Sequence, residues 1–87
     1  MGKHEEAIKA LDEAIQLDPN FAEAWNNKGF ALHDLDKYDE AIHAYDEAIR
    51  LDPELLDAWY NKGKALEALG RTSEAKEAYA RAKDLEL

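Results

Sequence analysis

The sequence predicts an all-α fold: five helices in a 34-residue repeat. Three observations carry this reading. There are 16 Ala and 11 Leu but no Val, and Ile and Thr together contribute only five β-branched residues, too few for a sheet. Sliding the chain against itself by 34 places aligns 53 pairs, of which 26 are identical. Within each period the apolar residues recur at helical spacing, as in Ala7, Leu11 and Ala14. The same composition holds 46% apolar residues, enough for a core, and 87 residues make one small domain.

The elements follow in order. Helix 4–17 carries Ala7, Leu11 and Ala14 on one face. Asp18-Pro19 ends it, because proline cannot continue a helix but suits the first turn of the next. Helix 20–34 then opens on Asn20, with Glu23 three residues on as a capping box, and Trp25, Gly29 and Leu32 form its apolar face. Asp36-Lys37 separates it from helix 38–51, where Ala41, Tyr45 and Ala48 repeat the first pattern. Asp52-Pro53 leads into helix 54–68, with Trp59, Gly63 and Leu66. Gly70-Arg71 precedes helix 72–86, whose start at Thr72-Ser73 supplies capping hydroxyls rather than a nucleophile. Ion pairs Glu5–Lys9, Asp46–Arg50, Glu67–Arg71 and Glu77–Arg81 are expected along the helices, at about 0.2–0.5 kcal/mol each.

These residues resemble the tetratricopeptide repeat family. Its 34-residue pattern reads here as Trp25, Gly29, Leu32, Ala41, Tyr45, Ala48 and Pro53, then again as Trp59, Gly63, Leu66, Ala75, Tyr79 and Ala82. The first segment supplies Ala7, Leu11, Ala14 and Pro19. The resemblance implies a right-handed α-solenoid of antiparallel helix pairs: residues 1–21 as the second helix of a truncated repeat, 22–55 as a complete repeat, and 56–87 as a C-terminal repeat with a polar cap face. Gly29 and Gly63 should let the paired helix approach at Ala41 and Ala75. Lys28 and Lys62 depart from the family, which carries an apolar residue there; their stems can cover apolar surface while the ammonium reaches water.

The two ends differ. Met1 falls where Leu35 and Leu69 fall, so helix 4–17 lacks the partner that would cover Ala7, Leu11 and Ala14. The expectation is a longer array cut at this end, with an exposed strip through which two copies could pair about a two-fold axis. At the other end Ile8 and Ile42 give way to Lys76, and Ile15 and Ile49 to Lys83, which reads as a terminal cap.

Chemistry finds little to work with. There is no Cys, one Ser and one Thr, and the three His fall at different places in the repeat, so no metal set, cofactor motif or catalytic constellation forms. The acidic pairs Glu5-Glu6 and Asp39-Glu40 sit at helix starts, where the dipole favours them. A net charge of −9 disfavours nucleic acid and anionic membrane, and suits a basic or neutral partner. No apolar run approaches the roughly 18 residues of a membrane span, and Met1 to Glu6 hold no signal-peptide core, so a cytoplasmic protein is expected.

The resemblance implies a protein or peptide partner, held in a concave groove lined by the first helix of each repeat. The candidate groove residues are Glu23, Asn26, Asn27 and Phe30 on helix 20–34, with His33 and Asp34 beyond them, and Asp57, Tyr60, Asn61 and Lys64 on helix 54–68. Asn27 and Asn61 occupy equivalent positions, and a carboxamide can hold an extended backbone by donating and accepting together. Phe30 and Tyr60 are the candidate anchors. One subfamily clamps the acidic tails of heat-shock chaperones with Lys, Arg and Asn in this groove. Here Asp57 and Asn61 stand where its last repeat has Lys and Arg, while Asn26 and Phe30 replace a Lys and an Asn of its first repeat, so no such clamp is expected. The alternative to groove binding is self-association through Ala7, Leu11 and Ala14 with no external ligand.

Overall fold

Five helices account for most of residues 2–86, the stretch that the computed structural model describes. Met1 and Leu87 lie outside it, and with Met1 the comparison to Leu35 and Leu69. The helices are α1 (Lys3–Leu17), α2 (Ala22–Asp34), α3 (Tyr38–Leu51), α4 (Leu56–Ala68) and α5 (Thr72–Glu86), and no strand occurs among the described residues. Each packs against the next, and α2 also touches α4. These two helices form one layer, with α1, α3 and α5 packed against it, in an all-α helical solenoid measuring 32 × 26 × 16 Å.

Helices α2 and α4 begin two residues later than the proline rule suggests. The Phe21 amide bonds the Asp18 carbonyl at 3.1 Å, and the Asn20 amide bonds Asp18 Oδ1 at 3.2 Å. Asp18-Pro19-Asn20-Phe21 is therefore a turn with proline at its second position, where a fixed φ is welcome. Phe21 becomes the residue before the helix and makes no side-chain cap bond, so the Asn20–Glu23 capping box does not form. Asp52-Pro53-Glu54-Leu55 repeats the turn, with Leu55 bonded to Asp52 at 3.1 Å. Each indole then ties down the turn before it: Trp25 Nε1 donates to the Pro19 carbonyl at 3.3 Å, and Trp59 Nε1 to the Pro53 carbonyl at 2.8 Å. At the start of α5, Arg71 accepts the first helical bond from Ala75 and forks onto Glu74, so the cap position precedes Thr72 and Ser73.

The turns inside the repeats close differently. Lys37 N–H reaches the Leu32 carbonyl and Asp36 N–H the His33 carbonyl, both at 2.9 Å; Arg71 and Gly70 make the same bonds to Leu66 and Glu67. This pattern needs a left-handed residue after the helix, supplied by Asp36 (φ 62°) and Gly70 (φ 77°).

Alanine builds most of the core. Ala41, Ala44 and Tyr45 of α3 pack with Leu32 and Ala65, while Ala75 and Ala78 of α5 pack with Leu66. The glycines make room for aromatic rings rather than for Ala41 and Ala75, contrary to the expectation. A methyl at Gly29 would lie 2.5 Å from Tyr45 Cε1, and one at Gly63 would lie 2.6 Å from Tyr79 Cε1.

Lys28 and Lys62 do more than snorkel. Lys28 Nζ lies 2.7 Å from Asp12 and over the Trp25 ring, and Lys62 Nζ lies 2.7 Å from Asp46 and over Trp59, so each ties its helix to the one before. Asp46 is thereby taken from the expected pair with Arg50, which turns to Glu47 instead. Glu67 likewise accepts the Tyr79 hydroxyl, while Arg71 pairs with Glu74.

Candidate interaction surfaces

The outer face of α2 and α4 is built by the same spacing that builds the core. Trp25, Gly29 and Leu32 turn one side of α2 inward, so Glu23, Asn27 and Phe30 face outward, and Asp57, Tyr60 and Lys64 do so on α4. Phe30 and Tyr60 are each 50% exposed, an uncommon state for large aromatic side chains. Between the two helices Phe30, His33, Tyr45, Asn61 and Lys64 line a notch of about 10 Å³, room for roughly one water.

Asn26 departs from its expected place. It is only 8% exposed, and its Oδ1 accepts from Asn61 Nδ2 at 3.3 Å. The pair fastens α2 to α4, so Asn26 supplies structure beneath the surface, and Asn61 is half-buried with part of its amide already committed. Asn27 stays exposed. Lys64 Nζ sits 5.7 Å from the centre of the Tyr60 ring, and Tyr60 tilts against Tyr79 at 5.5 Å. His33 is half-buried, edge-on to Tyr38 at 5.0 Å, and His4 lies 3.9 Å from Asp34. Burial pushes the Tyr45 hydroxyl above its ordinary range, and burial with the Glu67 bond does the same for Tyr79. Both shifts favour the neutral hydroxyl, and that of Tyr79 donates to Glu67. The face offers aromatic surfaces, amide hydrogen bonds and a mostly acidic charge set. It brings together no nucleophile and base, and the described residues hold no group of His, Cys, Asp and Glu suited to a metal ion.

A second surface lies at α1. No residue of this helix is fully buried: Ala7 is exposed, and Leu11 and Ala14 are half-buried. Their equivalents Ala41, Tyr45 and Ala48 are at most 1% exposed. A third feature was not anticipated from the sequence. A cleft of about 660 Å³ opens between α1 and α3, with Ile8, Trp25, Leu32 and Leu35 among its apolar lining and Glu5, Asp39 and Glu40 among its polar residues. The sequence marks those acids only as helix starts, and nothing in the period reveals that α1 and α3 stand apart. No helix of the described residues is long and apolar enough to cross a membrane.

Three family models match the chain: a tetratricopeptide repeat over residues 22–55, a TPR repeat over 1–36 and a tetratricopeptide repeat over 44–77. No curated protein matches. Among solved structures, MamA is 31% identical with a TM-score of 0.93, over 97% of this chain and 49% of that one. The chain thus spans about half the length of MamA. The second TPR of Spaghetti (RPAP3), bound to the HSP90 peptide SRMEEVD, is 32% identical with a TM-score of 0.93, over 97% of this chain and 78% of that one. The TPR2B domain of yeast Sti1, in complex with pHsp70, is 29% identical with a TM-score of 0.95, over 98% and 68%.

Proposed function

The chain belongs to the tetratricopeptide repeat family, and we propose on that footing that it is a protein-interaction scaffold holding an extended peptide across α2 and α4. It acts by binding, with no covalent chemistry. The observation that carries this is the pair of half-exposed aromatics, Phe30 and Tyr60, set on neighbouring helices of one layer. Such rings bury large area at small entropic cost, which is why they recur as binding anchors. Peptide binding by the Spaghetti and Sti1 domains supports the reading. Asn27 contributes hydrogen bonds to the peptide backbone, and Asn61 contributes what its bond to Asn26 leaves free. The test is a peptide-library screen followed by titration of the best binder. Phe30→Ala with Tyr60→Ala should weaken it at least about tenfold, the scale of one lost anchor. Unchanged affinity would remove the groove from consideration.

The open face of α1 favours a second reading, in which two copies pair through Ala7, Leu11 and Ala14. The three side chains are small, so the contact would be weak and concentration-dependent. Sedimentation equilibrium across roughly 5–500 μM, spanning modest association free energies, should then show a two-chain mass that Leu11→Asp returns to one. A one-chain mass throughout sinks this reading.

A further inference from the structure

The charges around the two aromatics say what kind of peptide the groove takes. Glu23 and Asp57 occupy the same repeat position on α2 and α4, and both are exposed. Asp34 and Glu67 add two carboxylates farther along the same helices, while Lys64 is the cation beside them and lies over Tyr60. The whole chain carries −9. A peptide with acidic side chains would be repelled along its length, and one with basic side chains would find a partner on each helix.

Spacing refines the class. Packed helices lie about 8–10 Å apart, which sets the scale of the step from α2 to α4 that a bound segment must make. A segment in the extended polyproline II conformation rises about 3.1 Å per residue with three residues per turn, so basic side chains three positions apart return to one face about 9 Å apart and span the gap. The two side chains between them splay to either side of that row, leaving an apolar one to meet Phe30 or Tyr60.

We propose that the α2–α4 groove selects cationic extended segments, with Lys or Arg three residues apart around an apolar residue, and rejects acidic peptides such as the one the Spaghetti domain binds. This rests on the groove reading above. The acidic peptide SRMEEVD, known from the Spaghetti complex, supplies the comparison.

The experiment titrates the 87-residue protein, by fluorescence anisotropy, with three labelled peptides: SRMEEVD, a version without carboxylate side chains, SRMQQVN, and a basic version SRMKKVK. The basic peptide should bind tightest, about tenfold or more over the acidic one, and lose its advantage as salt rises. Glu23→Lys with Asp57→Lys, both exposed positions that leave the core intact, should reverse the order. Equal or tighter binding of the acidic peptide to the unsubstituted protein overturns the inference and leaves the groove reading standing. An order that survives the double substitution also overturns it. Basic-peptide binding that persists in Phe30→Ala with Tyr60→Ala would be diffuse adsorption to an acidic surface, and overturns it too. Failure of all three peptides to bind also overturns the inference, and the library screen then decides the groove reading on its own.

Discussion

Gly29 sits where a single methyl decides whether two helices can pack. Its missing Cβ leaves the space that the Tyr45 ring fills, and that ring is 1% exposed. Gly29→Ala would improve helix propensity by up to about 1 kcal/mol, but a contact at 2.5 Å forces an overpacking cost of about 1–3 kcal/mol. The steric term wins. Net destabilisation of up to about 2 kcal/mol is expected, read as a lower midpoint in chemical denaturation. Gly63→Ala should cost less, because the Tyr79 ring it would strike is only half-buried. A Gly29→Ala variant as stable as the parent would contradict this account. The sequence identifies Gly29 as special through its recurrence at Gly63, yet it does not say which neighbour the glycine accommodates. That depends on the crossing of α2 with α3, which places the Tyr45 ring rather than Ala41 over the gap.

The turns show what periodicity reveals about an element and what it leaves hidden. All five helices were legible from apolar spacing and punctuation, but the starts of α2 and α4 were not, because Asp18 and Asp52 take the amides of Asn20 and Glu54 for their own turns. A local side chain-to-backbone bond outcompeted the capping box. The other class of turn carries a sharper expectation. Asp36 and Gly70 fill equivalent left-handed positions, at φ 62° and 77°. Asp pays less there than most residues, since its short polar side chain tolerates that conformation, and Asp36 also accepts the Tyr38 hydroxyl at 2.9 Å. Gly70→Ala should therefore cost about 1 kcal/mol, with Gly70→Asp losing clearly less. Equal losses for the two variants, measured by thermal unfolding, would show that the backbone conformation is not what selects the residue. The same competition governs the ion pairs. Asp46 and Glu67 had i+4 partners available on their own helices and instead bond Lys62 and Tyr79 of neighbouring ones. Pairing along one helix can be read from spacing; pairing between helices needs the packing.

At the scale of the molecule, stability in a repeat array is close to a sum of repeats and the interfaces between them. The terms here are unequal. Helix α3 buries Ala41, Ala44, Tyr45 and Ala48 between α2 and α4, whereas α1 packs against α2 alone and has no fully buried residue. What holds α1 is a set of half-buried side chains, Ile8, Leu11, Ala14 and Ile15, with Ile8 against the core, and the Lys28–Asp12 pair, whose carboxylate is about half exposed. An ion pair that open contributes at most about 1 kcal/mol, too little to replace a buried face. The helix should therefore open independently of the rest. Amide hydrogen exchange followed by NMR should find Lys9 to Leu17 much less protected than the corresponding amides of α3, at concentrations where the protein is a single chain. Protection of α1 equal to that of α3 under those conditions would mean that the array unfolds as one unit. Raising the concentration adds a second reading of the same amides. If two copies pair through Ala7, Leu11 and Ala14, protection in α1 must rise with concentration while α3 stays constant, because mass action stabilises only the state in which that face is covered. If protection in α1 is independent of concentration, the face stays open in solution and the α2–α4 groove is left as the interaction surface.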